Sequence, residues 1–284
     1  MHAVVSMKSE ITGLTDWLTT PPGAYLLAWE RAHFDLAVSD IFGYHALQLG
    51  LPELDALQAN RMPHKWLALP CVASTRAPLT MQDSEELQRA PVPISSPGVA
   101  LYADAAALPF KESSLDLVAL PHTLELGCDP HSALREVARV LVPEGRVVIS
   151  GFNPASLWGM RQRRDHFCQR LGYEGLFLPD AGEYIGYWRL RDWLRLLDFE
   201  VESARFGCYR PALRSQKWLD RFDWMDPAGK RWWPIFGAVY FLVAVKHVRG
   251  MRLLEPAWKT RRAPAAAPAI VASKNPSGRV KIGR

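Results

Sequence analysis

The chain has 284 residues, 49% hydrophobic and 22% charged, enough to bury a full α/β core with one main domain as the default. Lys and Arg total 34 against 29 Asp and Glu, but seven of the basic residues and none of the acids lie in 256–284, leaving 27 against 29 elsewhere. A near-neutral body gives no net-charge argument for nucleic-acid binding, and the longest apolar stretch, 12 residues from Pro234 to Val245, is too short to span a bilayer.

Gly23 to Asp40 sets Leu26, Leu27, Glu30, His33, Phe34 and Ala37 at mixed three- and four-residue spacing, which predicts an amphipathic helix after a Pro21-Pro22 break. Tyr44 to Gly50 reads as the first core strand, and Trp66 to Val72 as a second, with Pro70 at its end or in a bulge. Gln82 to Ala90 is a short polar helix or a loop, and Pro91 to Gly98 is turn-rich. Val99 to Tyr102 and Ser114 to Leu120 are two further strands.

Asp129 to Leu141 opens with Asp at the N-cap and Pro at the first helical position, and its Ala133, Leu134, Val137, Ala138 and Leu141 form one apolar stripe. Pro143-Glu144-Gly145 stops this helix, and Arg146 to Ser150 is the next buried strand. Strand, helix, strand at this spacing is a βαβ unit with parallel strands. Beyond Gly151 the pattern loosens. Trp188 to Leu197 is helical, Phe199 to Phe206 alternates as a strand, Gly207 to Trp233 is irregular, basic and Trp-rich, and Ile235 to Lys246 closes the domain as a strand.

The tail, 256–284, is rich in Ala, Pro, Ser and Lys and is expected to be disordered, because it has little apolar surface to offset its ordering entropy. Deleting 264–284 should therefore leave the melting temperature nearly unchanged. Cys71, Cys128, Cys168 and Cys208 show no CxxC pair or metal-ligand spacing and are expected to be reduced and mostly buried. The first residues lack a secretory pattern, so a cytoplasmic location is expected.

In an open parallel sheet, ligands bind beyond the carboxyl ends of the strands where strand order reverses. Gly50, Asp104 and His122 occupy such ends. An Asp after a strand is also an ordinary turn former, and a lone His there is often a hydrogen-bonded structural residue.

From Ala103 to Pro154 the chain carries Asp104-Ala105-x-x-Leu108-Pro109-Phe110, then Leu115 to Val118, His122 to Glu125, and Asp129-Pro130. There follow Leu134, Glu136, Arg139, Val140 and Leu141, and lastly Pro143, Gly145 and Arg146. This run resembles the central segment of class I, type 11 methyltransferases. Phe42 to His45 and Gly151 to Pro154 resemble a bacterial subgroup of that family. The resemblance implies an α/β, Rossmann-like, seven-stranded, mostly parallel sheet with helices on both faces. It divides the chain into an N-terminal helical extension (1–40), a methyltransferase-like domain (41–250) with a Trp/Arg-rich insertion (206–234), and the tail.

The resemblance also implies S-adenosyl-L-methionine as cofactor, lying across the first and fourth strands, with Gln48, Gly50, Asp104, Ala105 and His122 at the cofactor site. No metal is implied, and the methyl acceptor is unknown, a small molecule being favoured. The family's acidic-x-Gly-x-Gly-x-Gly loop aligns with Gln48, Gly50, Pro52 and Leu54, and Cys71 to Thr75 offers no carboxylate for a ribose. If the acceptor must lose a proton, His122 is the expected general base, with Glu125 and Asn153 behind it.

The clustered Trp218, Trp224, Trp232 and Trp233, among Arg210, Arg214, Lys217, Arg221, Lys230 and Arg231, are either a packed lid with solvated charges or a cap over an aromatic or anionic substrate. Arg161, Arg163 and Arg164 form a short basic run of the same ambiguity. Two other function classes stay open: a cofactor-free interaction module on the same fold, favoured by the missing glycines, and a nucleic-acid-binding protein acting through the basic tail and the Trp/Arg segment.

Overall fold

The computed structural model describes residues 13–70, 99–169, 176–179 and 184–247. Helix α1 (Pro21–Val38) precedes strands β1 (His45–Leu49), β2 (His64–Leu69), β3 (Val99–Tyr102) and β4 (Leu115–Pro121). A short helix α2 (Thr123–Leu126), α3 (Pro130–Val140), β5 (Leu141–Phe152), α4 (Leu157–Gln169), α5 (Tyr187–Leu196) and β6 (Phe199–Gly207) follow. Helices α6 (Gln216–Arg221) and α7 (Met225–Trp232), a 3-10 turn (Pro234–Phe236) and β7 (Val239–Lys246) complete the described chain.

The strands form one sheet in the order β3-β2-β1-β4-β5-β7-β6. Only β7 runs against the others, pairing antiparallel with β5 and β6, while β1 to β5 pair parallel. This is the seven-stranded Rossmann-like sheet that the resemblance implies.

Strand alternation explains why the central strands look almost continuously apolar. Leu117 and Ala119 of β4 and Phe241 and Val243 of β7 enter one core layer, with Leu26, Phe34 and Val38 of α1 and Trp158 of α4. Val118, Leu120, Leu242 and Ala244 enter the opposite layer, with Ala133, Leu134 and Val137 of α3 and Leu190 and Leu194 of α5. Both faces are covered, so neither needs polar side chains. The described residues lie in a single compact unit, and α1 buries one face in the first layer.

Several boundaries differ from the sequence reading for identifiable reasons. Pro21 and Pro22 form the first turn of α1 instead of a break before it, since missing N–H groups cost nothing there. β5 begins at Leu141, because Pro143 to Gly145 forms a bulge, with Glu144 at φ 62°, rather than a full stop. α4 was hidden because its buried face is Trp158, Gly159, Gln162 and Asp165, which is no apolar stripe. The stretch from Gly207 to Trp233 is not irregular throughout: it holds α6 and α7, whose buried residues are only Leu219 and Gly229. The final strand starts at Val239, after the exposed 3-10 turn, not at Ile235.

Among the described cysteines, Cys208 is buried, Cys168 half-buried and Cys128 exposed, so burial is not the rule expected. No helix among the described residues is long and apolar enough to cross a membrane. The readings for 71–72, 82–98 and the tail, including Cys71 and the absent ribose acid, fall outside the described residues.

Candidate active site

Strand order reverses between β1 and β4, with β2 and β3 on one side and β5 on the other. Gly50 ends β1 at φ +74°, a left-handed conformation that side chains rarely adopt. A Cβ there would also meet Thr123 Oγ1 at 3.4 Å. That hydroxyl donates to Leu49 O at 2.5 Å and joins the ends of β1 and β4.

Gln48 faces inward. Its Nε2 donates toward the carbonyls of Gly50 (3.3 Å), Leu51 (3.0 Å) and Leu54 (2.6 Å), and its Oε1 accepts from Ala56 N at 2.9 Å. One amide therefore ties down the whole turn that follows β1. Leu51 and Leu54 are buried beneath it, and Pro52 contributes no N–H.

Asp104 follows β3 at the same end of the sheet and is exposed, with Oδ1 accepting from Ala106 N at 2.9 Å. An isolated bridge to Ala107 closes this turn, which carries the half-buried Ala105. Behind it, Glu136 Oε1 accepts from Leu108 N, and Arg139 Nη2 donates to Leu108 O and Phe110 O. The helix residues Glu136 and Arg139 of the motif thus hold the Leu-Pro-Phe segment in place. Asp104 and Gly50 share an edge of the sheet, separated by β2.

His122 lies directly after β4, fully buried, with its backbone left-handed at φ 52°. Its Nδ1 is 2.9 Å from Glu125 Oε2 and its Nε2 is 2.9 Å from Glu30 Oε1, and both carboxylates are buried. Burial opposes charge on the ring, but the Glu30 carboxylate, the ring's hydrogen bonds to both acids and the Glu125 charge outweigh it and push the imidazole up to about 10. Burial also raises the carboxyl of Glu125, against its bonds to His122 and Phe152 N.

Phe152 covers the ring at 4.4 Å and donates its N–H to Glu125 Oε1 at 2.5 Å. Gly151 is required beside it, because a Cβ would lie 2.4 Å from Tyr240 Oη and 2.9 Å from Glu125 Oε1. Asn153 donates Nδ2 to Ile235 O and Gly237 O and accepts from Ala155 N, which joins the end of β5 to the segment leading into β7. The Gly-Phe-Asn-Pro stretch is thus the wall of a buried acid–histidine–acid cluster. Its Asn153, a secondary acid/base candidate, is engaged with backbone.

Glu30 was the member that sequence reasoning missed as a site residue. The signal was present: it stands within the buried series Leu26, Glu30, Phe34 and Val38 of α1, where a carboxylate needs a partner. A second polar knot lies nearby in sequence terms, where Asp226 receives Tyr25 Oη at 2.5 Å, Tyr209 N at 3.1 Å and Arg210 Nε at 3.0 Å. Arg210 is therefore internal, and Arg161, stacked over Phe177 at 4.8 Å and bonded to Ala212 O, is likewise not a free rim charge. Among the described residues no group of three His, Cys, Asp or Glu could hold a metal ion.

The family model described as "Methyltransferase domain" matches residues 73–149. The protein YafS of Escherichia coli (strain K12) is 40% identical over 109 residues, which is 38% of this chain and 42% of that relative, so the chain spans less than half the length of the curated relative it matches. Among solved structures, a chain of the complex between the Haloferax volcanii Trm112 methyltransferase activator and the putative methyltransferase aligns over 84% of this chain and 98% of its own, at 16% identity and a TM-score of 0.49. A Thermotoga maritima S-adenosylmethionine-dependent methyltransferase, possible histamine N-methyltransferase, aligns over 78% and 92%, at 16% identity and a TM-score of 0.47. Residues 73–149 are thus similar to the methyltransferase domain family.

Proposed function

We propose that this chain, whose central segment is similar to the methyltransferase domain family, is an S-adenosylmethionine-dependent methyltransferase acting on an acceptor not yet identified. The observation that carries the reading is the sheet itself: order reverses between β1 and β4, and a left-handed Gly50 stands at that crevice. The residues fit the cofactor in two places. At Gly50 the backbone has no side chain to hold a ligand off, and at Asp104 an exposed carboxylate faces solvent on the same edge.

When bound, the cofactor supplies a methyl group already activated on a sulfonium, so the protein has mainly to align the partners and exclude water. Gly50 and Ala105 would wall the cofactor, and Asp104 would accept a hydrogen bond from its polar edge. Gln48 would act indirectly, by fixing the turn that Gly50 begins.

His122 is better read as a positioning residue than as the general base. A ring held protonated between two buried carboxylates has no free lone pair to accept a proton at neutral pH. It would set the backbone at the end of β4, where the crevice floor lies. This assignment favours an acceptor that is deprotonated before transfer or loses its proton to water. A cytoplasmic site of action is consistent with the reading.

One observation favours the second reading, a cofactor-free interaction module: the turn after β1 replaces two glycines with Pro52 and a buried Leu54. Thermal-shift measurements with S-adenosylmethionine and S-adenosylhomocysteine separate the two. Stabilisation that rises with ligand concentration supports the enzyme; an unchanged melting temperature at millimolar ligand supports the module.

A further inference from the structure

The region between β6 and β7 has a property that methyl transfer does not use. β6 ends at Gly207 and β7 begins at Val239, and since β6 runs parallel to β5, the connection lies at the same edge of the sheet as Gly50 and His122. This connection carries α6, α7 and the 3-10 turn.

Helix α7 turns Gly229 inward, together with Asp226, which bonds Tyr25, Tyr209 and Arg210. Its outer face, at helical spacing, is Trp224, Pro227 and Arg231. The chain then presents Trp232 (74% exposed), Trp233, Ile235 and Phe236 in succession, all exposed. Large aromatic side chains seldom crowd a solvent-facing turn without a partner.

The charges around them are mainly cationic. Of the acids in this connection, Asp226 is spent inside and Asp223 pairs with Arg210, while Asp220 accepts from Gln216. Lys217, Lys230 and Arg231 are exposed and, among the described residues, pair with no carboxylate. Arg221 lies over the Trp218 ring at 5.8 Å, with its charge still outward.

From this surface we infer that the α7 and 3-10 segment docks on the surface of an anionic phospholipid bilayer. Trp and Phe rings settle at the boundary between headgroups and acyl chains, and Lys and Arg beside them meet the phosphates. Charge complementarity selects this occupant, because Lys217, Arg221, Lys230 and Arg231 outnumber Asp220, the one acid of the connection with no cation beside it among the described residues, and the apolar groups protrude rather than line a groove. The inference does not rest on the proposed enzymatic activity. It would place the crevice edge of the sheet against the membrane.

Cosedimentation of the full chain with phosphatidylcholine vesicles, with and without phosphatidylglycerol, tests it. Binding is expected only with phosphatidylglycerol, and the triple substitution Trp232→Ala, Trp233→Ala and Phe236→Ala should weaken it by at least about tenfold. Lys230→Glu with Arg231→Glu should abolish the preference for phosphatidylglycerol, and it keeps the question open to measurement if the triple variant folds poorly by circular dichroism. The basic 256–284 segment is intact in all proteins, so unaltered binding by the folded variants would overturn the inference. So would equal binding to both vesicle types, retention on a single-stranded oligonucleotide that the variants lose while vesicle binding persists, or self-association through these residues in place of vesicle binding.

Discussion

At the scale of single residues, the His122 ring is tied by both nitrogens to buried acids, so its protonation is part of the folded structure. Its folded-state value, near 10, lies above its ordinary 6.5. A raised value means that the folded chain holds the proton more tightly than the unfolded chain, so the stabilisation is complete below about pH 6.5 and is lost as pH rises toward 10. Glu125, also raised, acts in the same direction from its own lower range. Denaturant midpoints should therefore fall between pH 7 and pH 10, and His122→Gln should flatten that slope; an unchanged slope in the variant would remove His122 as its source. Asp104 is the converse case, exposed and little engaged by its own fold. Asp104→Ala should weaken S-adenosylmethionine binding by about 1–3 kcal/mol, the usual cost of losing a hydrogen bond to a polar ligand, with no change in melting temperature. Equal affinities would take Asp104 out of the site.

At the scale of elements, α1 is joined to the strand ends by a buried charge. Glu30 lies in the helix's apolar face against His122, and removing one partner of such a pair strands the other. Glu30→Ala should destabilise the fold by ~3–5 kcal/mol in urea denaturation, and Glu30→Gln by less, because the amide keeps the volume and a hydrogen bond. A loss below about 1 kcal/mol for the alanine variant would mean that water or relaxation replaces the contact. The same helix illustrates what could be read in advance. Its existence followed from the spacing of Leu26 and Phe34, and α3 was legible almost to the residue from Asp129, Pro130 and the Ala133-to-Val137 stripe. Helices α4, α6 and α7 left no such trace, because they bury Trp, Gly, Gln and Asp or almost nothing. The Glu30–His122 contact was likewise invisible. Its partners are 92 positions apart in sequence, and nothing local to either names the other.

At the scale of the whole molecule, the parallel order of β1, β3, β4 and β5 was implied by the βαβ spacing and by the Asp104-to-Arg146 run, and the sheet has it. The family resemblance implied a mostly parallel sheet of seven strands, but the antiparallel insertion of β7 between β5 and β6 came from the structure. Of the candidate site, the positions of Gly50, Asp104 and His122 at one edge were legible because each follows an apolar run. Their environments were not, since burial of His122 and the inward turn of Gln48 depend on α1, β5 and the turn after β1 meeting in space. The central claim is that the crevice between β1 and β4 still takes S-adenosylmethionine although its loop keeps one glycine. Calorimetric titration of the full chain and of Gly50→Val tests it most directly: saturable heat with S-adenosylmethionine and S-adenosylhomocysteine for the parent, and none for the folded variant, is the predicted result. Absence of heat from well-folded parent protein at millimolar ligand, or heat undiminished in Gly50→Val, would contradict it.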